Sequence, residues 1–141
     1  MKTDKLVPST YSFEYIRDKI LKIMVTNIGK DNGISREALF SSLFGGRTMN
    51  VFQAAFFWNR VPRVLTQMRK ACLKNPYPFI TSHTTKKGTQ YFVVRNTTDA
   101  MVYRDKVAKQ KLGMEKMDKV LNKYVERSRW KNYYQEMTKK N

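Results

Sequence analysis

Arg60, Arg63, Gln67, Lys70 and Lys74 recur at intervals of three and four, the spacing that lines side chains along one face of a helix. Their chemistry is that of nucleic-acid contact. Arg can form a bidentate pair with guanine O6 and N7, Gln can do the same with adenine N6 and N7, and Lys neutralises phosphate. Lys86-Lys87, just before Gly88, places two further ammonium groups at a turn from which they can project to phosphates, and Arg47 adds another cation. No carboxylate interrupts this set, because residues 38–98, sixty-one consecutive positions between Glu37 and Asp99, contain neither Asp nor Glu. Any surface built from that stretch is positive.

The whole chain has the same bias. Its 141 residues hold 28 Lys and Arg against 11 Asp and Glu, a net charge of +17, which concentrates phosphate around the protein before a specific contact forms. A polyanion partner follows, with duplex DNA favoured and RNA as the alternative. Several other classes lose support. One cysteine, Cys72, rules out an intrachain disulfide framework, and with a single histidine, His83, no Cys/His set for zinc exists. Cys72 falls on the apolar side of its helix and reads as a small hydrophobe. His83 lacks a second histidine, an acidic neighbour or a nucleophile nearby, and reads as a strand-end residue. The acids are scattered, with no paired metal-binding carboxylates, no phosphate-binding glycine loop and no Ser–His or Cys–His constellation. The expectation is a non-enzyme without metal, cofactor or small-molecule substrate. The amino-terminal residues lack the apolar run of a secretory signal, and no segment has the roughly 20 apolar residues that span a bilayer. An intracellular protein, cytoplasmic or nucleoid-associated, is expected. Asn96-Thr97-Thr98 matches a glycosylation acceptor, which without secretion is accidental.

The length suits one domain and an appendage, and 41% hydrophobic with 13% aromatic residues suffices for a packed core. Residues 1–11 read as a flexible arm. Ser12 offers an N-cap, and Phe13, Ile16, Ile20, Ile23 and Met24 trace an amphipathic helix to about Asn27 with Arg17, Lys19 and Lys22 turned away. Ser35 starts a second helix, Arg36 to Phe44, with Ala38, Leu39, Leu43 and Phe44 inward and Gly45-Gly46 at its end. Met49 to Trp58 is apolar almost all round and suits a helical segment wedged into the core. Asn59 then caps a new helix, with Pro62 in its first turn, running to about Lys74. Val61, Leu65, Met68 and Cys72 form its core side. Phe79 to His83 and Gln90 to Val94 read as a hairpin around a basic tip. Thr97 or Thr98 caps a single long helix to about Tyr134, interrupted only at Gly113. Its stripe of Ala100, Tyr103, Val107, Met114, Met117, Leu121 and Tyr124 supports either docking on the domain or self-association. The fold class expected is mainly α with a small β-hairpin.

This order of three helices followed by a basic hairpin, over about residues 12–95, resembles a winged helix-turn-helix domain. The resemblance rests on Gly33-Ile34-Ser35-Arg36-Glu37-Ala38-Leu39 for the second helix and Val64-Leu65-Thr66-Gln67-Met68-Arg69-Lys70 for the third. It implies a third helix lying in the major groove and a wing reaching the adjacent backbone or minor groove, which would put Arg60, Arg63, Gln67 and Lys70 at the DNA. The function so implied is duplex-DNA binding, sequence-specific or tolerant, as in a transcriptional regulator. One alternative is an RNA or single-strand binder that stacks bases on Tyr91, Phe92 or Trp130. Another is an adaptor that docks a polymerase or replisome through the aromatic, basic tail from Arg127, with residues 99–137 also open to homodimerisation.

Overall fold

The Ser12 hydroxyl accepts the Tyr15 N–H at 3.1 Å and so satisfies one of the amides that a helix start leaves without an internal partner. It opens α1 (Phe13–Met24). In this computed structural model, which describes residues 12–43, 51–108 and 115–139, a 3-10 turn and a short strand β1 (Ile34–Ser35) lead from α1 into α2 (Arg36–Leu43). There follow α3 (Val51–Lys70), the hairpin of β2 (Ile80–Thr85) and β3 (Gly88–Val93), and three helices, α4 (Thr97–Ala108), α5 (Glu115–Glu126) and α6 (Arg129–Thr138). The described residues are mainly helical with one three-stranded antiparallel sheet, in the order β1-β3-β2. No helix among them is long and apolar enough to cross a membrane.

Two apolar clusters lie on either side of the sheet residues. In the first, the α1 stripe of Ile16, Ile20 and Met24 meets Leu39 and Leu43 of α2, Val61, Val64, Leu65 and Met68 of α3, and Ile80 and Val93 of the sheet. In the second, Cys72, Phe79, Phe92 and Val94 meet Ala100 and Tyr103 of α4 and Leu121 and Tyr124 of α5. Phe79 and Tyr103 pack edge to face with ring centroids 5.0 Å apart. Tyr133 of α6 enters the first cluster, and its hydroxyl donates to the Leu21 carbonyl. The described part of the tail stripe docks within the chain: Ala100, Leu121 and Tyr124 are fully buried, Tyr103 nearly so, and Val107 and Met117 partly. The Tyr124 hydroxyl also donates to the Val94 carbonyl, at 2.8 Å.

Several expectations are corrected. The apolar segment and the basic helix are one continuous helix, α3, with Pro62 inside it. Pro62 lacks only the amide that would bond to the Trp58 carbonyl, and its ring lies on the exposed side, so the helix passes through. Ala55 and Ala38, expected inward, are exposed. The single long tail helix is broken: Ser128 adopts a left-handed conformation (φ 49°) between α5 and α6. Asn96, not Thr97 or Thr98, caps α4, its Oδ1 accepting the Asp99 N–H at 3.0 Å. The supposed glycosylation motif is thus a helix start. Gly113, Gly45-Gly46, Phe44, Met114 and the amino-terminal arm lie outside the described residues.

Because α4, α5 and α6 complete both clusters, truncation after Asn96 should leave a chain without a cooperative thermal transition in circular dichroism; a sharp, wild-type-like melt of residues 1–96 would contradict this packing. Burial pushes the Cys72 thiol up to about 11 from 9.0, and it raises the Tyr124 and Tyr133 phenols as well. In each case the folded form holds its proton where the unfolded form has released it, so stability is full below the unfolded value and declines as pH rises. The unfolding free energy from urea titration should fall between pH 9 and 11, by roughly 2 kcal/mol from Cys72 alone. Cys72→Ala should flatten part of that decline.

Candidate nucleic-acid interface

The second half of α3 separates its two faces cleanly. Val61, Val64, Leu65, Met68 and, just beyond the helix, Cys72 are buried at 3% exposure or less. Arg63, Gln67, Lys70 and Lys74 are exposed and Arg60 is partly so. Arg60, Arg63, Gln67 and Lys70 form one row along α3, as the three-four spacing requires, whereas Lys74 lies in the turn beyond it, since the helix ends at Lys70 and not near Lys74. Among the described residues the ion pairs within 4 Å are Arg17–Asp18, Arg104–Asp118 and Lys139–Glu136. None touches Arg63, Lys70 or Lys74.

Arg69, one step from Lys70, behaves differently. Its Nε donates to the Ile80 carbonyl at 2.7 Å, and its guanidinium lies over the Phe79 and Tyr103 rings at 5.8 and 5.5 Å. Burial pulls its pKa below the ordinary arginine value, against the opposing influence of the Tyr103 and Tyr91 phenols. This cation is a structural pin that joins the last turn of α3 to the first residue of β2. Arg129 plays a comparable part at the carboxyl end of α3. One of its terminal nitrogens donates to the Cys72 and Asn75 carbonyls, both at 3.1 Å, in the turn that follows the helix. Composition alone could not separate these pins from the exposed row.

The wing is tighter than the sequence implied. Strand pairing continues to Thr85↔Gly88, leaving Lys86-Lys87 as a two-residue turn. Neither lysine has positive φ; that conformation falls on Gly88, at φ 109°. The Lys87 N–H bonds to the Thr85 hydroxyl at 3.1 Å, and the Thr84 and Thr89 hydroxyls meet across the strands at 3.1 Å. Both lysines are exposed on this braced tip. His83 is not a strand-end residue but sits within β2, exposed and opposite Gln90. Arg47 lies outside the described residues.

Similarity to known proteins does not extend this description. No family model matches the chain, and no curated protein or solved structure is significantly similar to it.

Two features escaped the sequence reading. β1 adds a third strand, pairing Ile34 with Tyr91 and Ser35 with Gln90, so that the start of α2 is tied to the wing. Ser35 serves both elements, since its Oγ also accepts the Ala38 N–H at 3.1 Å. The second feature is a groove between β2 and α4 at the base of the wing, lined by Ser82, His83, Thr84, Val102, Asp105 and Lys106. Among the described residues no group of three or more His, Cys, Asp or Glu is arranged to hold a metal.

Adjacent cations should therefore answer differently to mutation. Arg69→Ala removes the Ile80 bond and the ring contacts and should cost about 2 kcal/mol in urea unfolding. Lys70→Ala should stay within about 0.5 kcal/mol of wild type. Equal losses at the two positions would contradict the assignment.

Proposed function

We propose that the protein binds double-stranded nucleic acid, duplex DNA in the first place, through the exposed face of α3 and the lysine wing. The observation that carries this reading is the row of Arg63, Gln67 and Lys70 on one exposed helix face, with Lys74 exposed in the turn that follows and none of the three cations in an ion pair among the described residues. Such a row is a set of donors held on a rigid element, with Gln67 and Arg63 suited to base edges and the lysines to phosphates. The order α1-β1-α2-α3-β2-β3, with β3 central in the sheet, supports the winged-helix resemblance. Pinning of α3 to β2 through Arg69 gives helix and wing a fixed mutual geometry, which simultaneous groove and backbone contact needs. Regulation of transcription is the use that such a module fits best.

Stacking of unpaired bases has less to stand on. Phe92 is fully buried and cannot stack, while Tyr91 and Trp130 are half-buried. The adaptor reading retains one favourable observation. Tyr134 is 44% exposed beside Trp130, with ring centroids 6.4 Å apart, on a helix whose inner side is anchored by Tyr133.

Titration of the purified protein against random duplex DNA, single-stranded DNA and structured RNA at several salt concentrations tests the proposal. Duplex preference with a steep salt dependence is expected. Preference for single strands, or no binding at physiological salt, would overturn it. On a selected site, Arg63→Ala or Gln67→Ala should cost about 1 to 3 kcal/mol and relax specificity there. Replacing Lys86 and Lys87 together should weaken all duplexes alike and lower the salt slope by about two.

A further inference from the structure

We propose that the groove between β2 and α4, at the base of the wing, is a phosphate-binding site, with Lys106 as the contacting cation and Arg69 behind it. It deepens the nucleic-acid reading, and rests on that reading only for the source of the phosphate: a backbone phosphate lying beyond the Lys86-Lys87 tip. The groove encloses about 410 Å³.

Its electrostatics are unusual for a solvent-filled depression. Lys106 Nζ donates to the Ser82 hydroxyl, a neutral acceptor, and no carboxylate among the described residues lies within ion-pair distance of it. Arg69, pinned to the Ile80 carbonyl two residues before Ser82, likewise has no carboxylate partner among them. Burial and the Arg69 charge together hold the Lys106 ammonium below its usual value. A buried guanidinium and a partly dehydrated ammonium that repel each other, with no carboxylate in ion-pair contact, are unfavourable, and an anion bound at Lys106 relieves that repulsion. The donors are already oriented. An ammonium group has three N–H bonds, so two remain after the bond to Ser82, and the His83 ring adds a donor from the strand wall.

Asp105 is the opposing element in the groove lining. It repels an anion, and so separates a phosphate site from a generally basic surface: removing its charge should strengthen phosphate binding and weaken the binding of any cation. The wing tip lies three and four residues beyond His83 on the same hairpin. A nucleic-acid backbone crossing the tip therefore has a second cation, Lys106 of α4, at the base of the same hairpin.

The test uses the full chain. Inorganic phosphate is titrated at constant ionic strength while the backbone amides of Ser82, His83 and Lys106 are followed by NMR, and duplex affinity is measured against salt for wild type, Lys106→Gln, Asp105→Asn and the Lys86/Lys87 double variant. Expected are phosphate-dependent shifts at those amides that Lys106→Gln abolishes and Asp105→Asn reaches at lower phosphate. Lys106→Gln should also lower the duplex salt slope by about one and weaken binding about fivefold to tenfold at 0.1 M salt. Unmoved amides together with an unchanged slope in Lys106→Gln, while the Lys86/Lys87 variant does change it, would overturn the site and leave the nucleic-acid reading standing. Shifts with phosphate in a protein that fails to bind duplex would uphold the site, make free phosphate its ligand and remove that reading. Weaker phosphate binding in Asp105→Asn would overturn the site. Lys106 is exposed as a residue, so a wild-type melting curve for Lys106→Gln is the accompanying control.

Discussion

Where β3 ends, its backbone groups are taken up from several directions at once. Val93 donates its N–H to the Asn27 carbonyl and accepts from Gly29, each at 2.8 Å, while the Val94 N–H bonds to the Phe79 carbonyl at 2.8 Å. The Val94 carbonyl receives the Tyr124 hydroxyl, and the Arg95 N–H goes to Asp99 Oδ2 at 2.9 Å. Asp99 is itself buried at 2% exposure and also accepts the Lys30 N–H through Oδ1 at 3.2 Å. One carboxylate therefore joins the turn after α1, the exit of β3 and the start of α4 through charge-assisted bonds to backbone amides. Gly29 belongs to the same junction. Its φ of 92° lies outside the range that side chains favour, and a Cβ there would meet the Arg95 guanidinium at 3.2 Å. Loss of this junction would release α1, the sheet and the tail from one another.

The local features of the fold were legible because their causes are local. Ser12 and Ser35 cap the helices they were expected to cap, since a hydroxyl next to an apolar period needs only its own neighbours. In the second half of α3, Val61, Leu65 and Met68 followed from spacing, while the buried Val64 did not. What escaped depends on distant partners. β1 is two residues long and is a strand only because Tyr91 and Gln90 lie opposite. The break at Ser128 carries no glycine or proline signal; it is held in place by Arg129 on the end of α3 and by Tyr133 in the first core. Asn59 and Pro62 imitate a helix start, and only the continuation of α3 through them reveals otherwise.

Charge was read correctly in sum and incompletely in detail. The carboxylate-free stretch does expose Arg63, Lys70, Lys74, Lys86 and Lys87, yet Arg69 within it is committed to a carbonyl and two aromatic rings. Elsewhere Asp118 bonds to Arg104, which also reaches Asn122, and so ties α4 to α5. The chain carries two populations of cations, one that fixes the fold and one that stays exposed to solvent. Which arginine belongs to which population depends on tertiary contact rather than on composition.

The bond from the Tyr133 hydroxyl to the Leu21 carbonyl joins residues 112 positions apart. During synthesis, α1 leaves the ribosome long before α6 exists. Its stripe of Ile16, Ile20 and Met24 then waits without one of its covering side chains, on a nascent chain whose cations emerge beside ribosomal RNA. Such a chain completes its first core only after α6 has emerged.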